Sequence, residues 1–159
     1  MSYFKPFPNV SYNGVTMPKI TASTVIEGYG RDSFIEYTIE DGETPEMLAH
    51  RVYSNPEYAA FILQMNGIVD VYDEWPLNDK SLIAVASSKY DNIYDIHHYE
   101  NTAGNVVSDK YPENDRYPVT NIEYEQNVNE MKRQIRLLHP SLMTFYVEEH
   151  RRLMEGSDV

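Results

Sequence analysis

The chain of 159 residues contains no cysteine. Disulfide staples, thiol nucleophiles and cysteine-based zinc sites are therefore excluded, and the redox compartment stays open. Positive charge is scarce: 13 Lys and Arg stand against 25 Asp and Glu, a formal net charge of −12. Binding to nucleic acid begins with phosphate neutralisation by Lys and Arg, so no nucleic acid is expected as a partner. The same imbalance argues against an anionic membrane surface. An acidic surface points instead to solubility or to a basic partner. No window approaches the roughly 20 apolar residues of a membrane span. Met1 to Val10 has no apolar run after a basic start, so no signal peptide is expected. Catalytic signatures are missing as well. There is no His-Glu-x-x-His helix, no phosphate-cradling glycine loop and no legible Ser-His-Asp set, and the five histidines lack ligand spacing. Carboxylates are plentiful, but nothing sets two of them in the unlike environments that a glycosidase needs. No enzyme, no cofactor and no metal is expected.

What the chain has in excess is tyrosine, 14 residues beside a single tryptophan. Tyrosine buries area while keeping a polar tip, which suits protein–protein contacts and equally a hydroxyl-bearing core. The length allows one domain or two small ones.

The most structured stretch runs from Glu36 to Val85. Phe34 to Ile39 is dense in apolar and aromatic residues and reads as a short strand. Asp41-Gly42 is a turn dipeptide. Thr44 before Pro45 is an N-cap with proline at the first helical position. Leu48 and Val52 share one face of that helix. Asn55-Pro56 repeats the cap-plus-proline signal. Tyr58, Phe61, Ile62 and Met65 then follow the i, i+3, i+4, i+7 template, and Asn66-Gly67 stops the second helix. Ser81 to Val85 reads as a second strand. The expected core is Leu48, Val52, Phe61, Ile62, Met65, Leu82, Ile83 and Val85. Between helix and strand, Ile68 to Asp79 reads as a solvated acidic loop, because Asp70, Asp73, Glu74 and Asp79 do not fit calcium-loop spacing. Trp75 in that loop is a core plug, a contact knob or a platform for a sugar ring.

On the N-terminal side, Met1 to Gly30 reads as an extended arm. Pro6, Pro8, Gly14, Pro18, Gly28 and Gly30 interrupt every periodic run, with Tyr3, Phe4, Phe7, Tyr12 and Tyr29 between them. Such an arm folds back or lies across a neighbour, and a neighbour is the expectation. On the other side, Asp91 to Tyr111 reads as a β-hairpin turning at Asn101 to Asn105. His97 and His98 on a regular strand point to opposite faces and would not share a metal. Tyr111 to Pro118 reads as a linker. Val128, Met131, Ile135 and Leu138 fit one helical stripe, although Ile135 and Leu137 between arginines also suit a short strand. A second stripe, Leu142, Phe145, Tyr146 and Leu153, lies on a helix from about Ser141 to Met154. Lys132, Arg133 and Arg136 form either a docking patch or intrachain partners for the surplus carboxylates.

The Tyr37 to Ile39 strand, the turn Asp41-Gly42-Glu43-Thr44, the pair Leu48-Ala49 and the helix-ending Asn66 resemble the LysM module. A larger ordered set resembles the small baseplate wedge proteins of contractile-tailed bacteriophages, whose core is LysM-like. It comprises Glu46 to Ala49, Tyr53 to Pro56, Met65-Asn66, the Tyr99 to Val107 hairpin, Tyr124-Glu125, Asn129-Glu130, Lys132-Arg133, Ile135, Leu137-Leu138, Pro140 and Phe145. The resemblance implies a structural virion protein, assembled in the host cytoplasm and present in several copies around the tail tube. It implies contacts with other wedge proteins, the sheath-initiating subunit and the central hub and tube proteins.

The expected fold class is α+β. It has an arm at 1–33, a LysM-like βααβ module at 34–88, a hairpin and linker at 89–118, and a C-terminal helical docking segment at 119–159. The expected assembly surface is Tyr3, Phe4, Phe7 and Tyr12 on the arm, with Tyr124, Lys132, Arg133, Arg136, Phe145 and Tyr146 in the C-terminal segment. The module would act as a rigid spacer. The alternative is a glycan-binding module. The LysM resemblance then implies a groove for N-acetylglucosamine polymers at Asp41, Gly42, Glu43, Thr44, Asn66, Gly67, Ile68 and Val69.

Overall fold

Several helices begin where a side chain satisfies one of their first free N–H groups. Thr44 accepts from the Met47 N–H, Asn78 from Ser81 and Thr120 from Glu123. At Thr120 the bond is reciprocated, since the Glu123 carboxylate accepts from the Thr120 N–H at 2.8 Å. The computed structural model describes residues 9–18 and 29–156. In chain order its elements are strands β1 (Asn9–Tyr12), β2 (Val15–Pro18) and β3 (Phe34–Thr38), helices α1 (Pro45–Tyr53), α2 (Ala59–Met65), α3 (Val71–Glu74) and α4 (Asp79–Lys89), strands β4 (Ile96–Asn101), β5 (Val106–Val107) and β6 (Arg116–Thr120), helix α5 (Asn121–Met131), strand β7 (Gln134–Leu138) and helix α6 (Pro140–Gly156). The fold is α+β. The chain forms two compact units: the described residues of 1–39, 43–75 and 134–159 in one, and 40–42 and 76–133 in the other.

In the first unit β3 and β7 pair antiparallel, with Phe34 opposite Leu138, Glu36 opposite Arg136 and Thr38 opposite Gln134. One core cluster joins Ile39, Leu48, Ala49, Ala59, Ile62, Leu63, Trp75, Ile135 and Leu137, so α1 and α2 pack on one face of this ribbon. A second cluster joins Ala60, Phe61, Met65 and Leu138 to Met143, Tyr146 and Val147 of α6. Gly67 ends α2 at φ +69°, and the bonds Gly67 N–H to Gln64 O and Ile68 N–H to Leu63 O close the helix. The outer edge of β7 is taken by side chains. Asn66 donates to the Arg136 carbonyl and accepts from its N–H, both at 2.9 Å, and the Tyr53 hydroxyl donates to the Leu138 carbonyl at 2.8 Å.

Two expectations are corrected here. Ser81 to Val85 is not a strand: it lies within α4, where Asn78 and the acidic Asp79 start a helix that Ala84 and Ala86 favour. In a helix Leu82 and Ala86 share the inward face, which leaves Ile83 and Val85 exposed rather than in the core. Residues 134–138 are not helix: α5 ends at Met131, Lys132 and Arg133 turn the chain, and β7 supplies the partner of β3. The expected order strand, helix, helix, strand within 34–88 is therefore not found: α3 and α4 follow α2, and the partner of β3 is β7.

The second unit contains an antiparallel sheet of order β5-β4-β6 and the helices α4 and α5. The hairpin turn spans Asn101 to Asn105 as expected, with the Asn101 carboxamide accepting from the N–H groups of Ala103 and Asn105. The expected linker at 111–118 is partly strand, because β6 pairs with β4 across Tyr99 and Pro118. Few large apolar side chains are buried here; Leu82 and Val119 are two. Asn129 is buried instead: it donates to the Leu77 carbonyl at 2.9 Å and accepts from the Leu77 N–H at 2.8 Å. The buried Arg133 guanidinium bonds Glu130 at 2.7 Å and Asp41 at 3.3 Å.

Within the stretch expected to be an extended arm, β1 and β2 pair as an antiparallel hairpin. Asn13 at φ +51° and Gly14 at φ +79° form the two-residue turn that positive φ at both positions permits.

Candidate assembly surfaces

The residues expected to face a partner divide by burial. Tyr3, Phe4 and Phe7 lie outside the described residues, and Tyr12 is described by its backbone in β1. Phe145 and Tyr146 are neighbours on α6 with opposite fates: Phe145 is 61% exposed and Tyr146 is 1% exposed. Tyr146 packs edge-on to Phe61 at 5.7 Å and is a core residue, not a surface one. Arg133 is likewise removed from the surface by its burial and its two carboxylate partners. Burial acts to lower its pKa, and the bonds to Glu130 and Asp41 outweigh that and raise it. Lys132, in the turn after α5, is half-buried. Arg136 is exposed on β7, with its guanidinium 4.9 Å from the Phe34 ring centroid and donating to the Met65 carbonyl. Tyr124 is half-buried on α5, its ring stacked on His97 at 4.0 Å.

The residues of the expected glycan groove are occupied by local structure. Thr44 caps α1. Glu43 is buried, accepts from the Tyr37 hydroxyl at 2.9 Å and pairs with Arg51, which also donates to the Tyr37 oxygen. Asn66 ties α2 to β7, and Gly67 supplies the helix end. Ile68 packs partly against the core, and Val69 is exposed. Gly42, at φ +72°, turns the chain, while Asp41 meets Arg133 and accepts from the Asp79 N–H. Trp75 is buried and its indole N–H donates to the Glu43 carbonyl at 2.8 Å, so it fills the core and is not offered to a sugar. The acidic loop is also explained locally. Asp70 caps α3, and the Glu74 carboxylate accepts from the N–H groups of Val69 and Asp70 at 2.6 and 2.7 Å.

In the second unit a polar cluster joins α4, α5 and β4. Lys89 and the Tyr90 hydroxyl both donate to one oxygen of Glu125, at 2.6 and 2.8 Å. Burial raises the Glu125 carboxyl, but these two bonds prevail and hold its pKa below the ordinary value. The two histidines do not point apart. A register shift between Ile96 and His98 breaks the regular strand, and their Nδ1 atoms approach to 2.8 Å. His98 Nε2 lies 3.0 Å from Glu100. Among the described residues no three such side chains converge as metal ligands, and no helix is long and apolar enough to cross a membrane.

The roles of Asn66 and Asn129 are not legible in advance, because an asparagine near a helix end reads first as a stop or cap. Which edge of β3 is paired is also invisible until its pairing with β7 is known. A family model described as base plate wedge protein 53 matches residues 19–143, thus reaching into both units but not the β1–β2 hairpin. No curated protein matches the chain.

Proposed function

The chain belongs to the base plate wedge protein 53 family, which gives it a structural role in the phage baseplate, and on that premise we propose that its copies join adjacent wedges to one another and to the central hub around the tail tube. The match over residues 19–143 carries this reading. In the proposal the chain assembles in the host cytoplasm, several copies enter each baseplate, and the sheath-initiating subunit is among its neighbours. The antiparallel β3 and β7 bracketing α1 and α2 support a LysM-like core in the first unit, with residues 76–133 as an insertion before the closing strand.

The assembly surface is narrower than the sequence suggested. Tyr3, Phe4, Phe7 and Tyr12 stay assigned to a neighbour, with Tyr124, Lys132, Arg136 and Phe145. Arg133 and Tyr146 leave the set because they are buried. The exposed Phe145 supports a contact through α6, since a large apolar ring at 61% exposure gains from being covered. Co-expression with the other baseplate genes of the same genome, followed by affinity purification and mass determination, tests the proposal. Stoichiometric recovery with a wedge, hub or sheath-initiator protein is expected. A monomer that brings none of them and binds peptidoglycan overturns the proposal in favour of glycan binding.

A further inference from the structure

The ribbon of β3 and β7 has two outer edges, and they are treated differently. Glu36 and Arg136 are direct partners in the register, yet both backbone groups of Arg136 are bonded to the Asn66 side chain. They therefore do not bond Glu36, and the pair is of the non-hydrogen-bonded kind. By the alternation of an antiparallel ladder, the N–H and C=O of Glu36, and of Thr38 two residues on, point away from β7. Both residues are exposed, and among the described residues nothing bonds these backbone groups. The outer edge of β7 is closed by Asn66 and Tyr53, and that of β3 is open among the described residues.

Of the usual protections of an open edge, β3 has one charged side chain, Glu36. It contains no proline, no lysine and no bulge. In the three-stranded sheet, by contrast, one outer strand carries Pro118 and the other is two residues long. On the core side of β3, Ile35 is 43% exposed while its cross-strand partner Leu137 is 2% exposed. The ribbon is one strand too narrow to cover that side chain, and a strand added at the open edge would cover it. Charge selects the strand. The Glu36 carboxylate has no ion pair among the described residues, because Arg136 opposite it is engaged with the Met65 carbonyl and the Phe34 ring. Two β3 edges pairing antiparallel about Glu36 would set carboxylate against carboxylate, which disfavours a second copy. With a net charge of −12, complementarity calls for a basic strand.

We infer that the outer edge of β3 receives an extended strand of another baseplate polypeptide, bonded to the backbone of Glu36 and Thr38 and placing a basic side chain beside Glu36. The inference rests on the proposed role in wedge assembly. Amide hydrogen exchange on the full chain, alone and in the co-expressed complex, tests it. The Glu36 and Thr38 amides are expected to exchange fast in the free chain and to slow by about tenfold or more in the complex. In parallel, Glu36→Pro deletes an outward N–H that β7 does not use. It is expected to keep the far-ultraviolet circular dichroism of the wild type and to reduce complex yield by about tenfold or more. A wild-type complex with both amides unprotected overturns the edge inference alone, as does a Glu36→Pro complex at wild-type yield. Protection that appears in the isolated chain together with doubled mass reassigns the edge to a second copy and also overturns it. Failure of the wild-type chain to recover any baseplate protein overturns the proposed function and this inference together. Should Glu36→Pro not fold, the exchange measurement on the wild type decides.

Discussion

The interiors of the two units are built from different chemistry. In the first, Phe61, Ile62, Leu48, Leu138, Met143 and Tyr146 are almost wholly buried and form the two apolar clusters. In the second, the buried side chains include the amides of Asn121 and Asn129 and the guanidinium of Arg133 beside Leu82, Ala86 and Val119. Asn121 donates to the Asn92 carbonyl at 2.9 Å, much as Asn129 clamps Leu77. An apolar cluster tolerates repacking, because it needs only volume. A buried amide is specific, because its loss strands the groups it served. A unit that buries few large apolar side chains can thus be ordered by a few such clamps.

The largest expected effect lies in the first unit. Phe61→Ala should destabilise it by about 3–5 kcal/mol, through lost burial and the cavity left between α2 and α6. Trp75 fluorescence in a urea titration reports on that unit directly, since Trp75 is the one tryptophan and is buried in its core. A loss within the scatter of surface substitutions would erase the contrast. Next, Asn129→Leu keeps approximate volume but strands the Leu77 N–H and carbonyl, at about 1–3 kcal/mol. Hydrogen exchange should rise through α4 and α5 while the Trp75 transition stays in place. Equal shifts in both probes would show that the units unfold as one.

The smallest expected effect separates the units by pH. His150 is buried against Phe61 and Tyr146, and burial lowers its pKa below the ordinary imidazole value. The unfolded chain therefore takes up this proton first. The contribution of neutral His150 is complete above the unfolded-state value near ~6.5 and declines as pH falls from there through the folded-state pKa. Glu125 in the second unit has a lowered carboxyl pKa. Its contribution is complete above the ordinary carboxyl value near ~4.3 and is lost as pH falls through the folded-state pKa. On acidification the Trp75 transition should weaken before the exchange protection of α5 does. His150→Gln should flatten the Trp75 dependence at weakly acid pH, and a dependence unchanged in that variant would count against the assignment.

Local signals were legible wherever the deciding groups lie close in sequence. Thr44-Pro45 starts α1, Asn55-Pro56 starts the short 3-10 turn that leads into α2, and Asn66-Gly67 ends α2, because each cap and the group it serves lie close in sequence. The Asn101 to Asn105 turn follows from the same economy of distance. Asn13-Gly14 carried an equally local hairpin signal, hidden among the prolines around it. The candidate surface was half legible: Phe145 and Tyr146 are adjacent and chemically alike, and only the packing of α6 on α2 buries one and exposes the other.

By composition and short-range pattern, the sequence alone determined an acidic, cysteine-free α+β chain, the two capped helices and the hairpin. Tertiary structure decided the partner of β3. Residues 34–38 can pair with any complementary strand, and Ser81 to Val85 and Gln134 to Leu138 both carry enough apolar residues to compete. Asn78 commits the first of these to a helix, while Asn66 and Tyr53 bond the free backbone of the second. Those bonds join residues 70 and 85 positions apart in the chain, beyond the reach of any local pattern, so the closing strand and the open edge opposite it follow only from the fold.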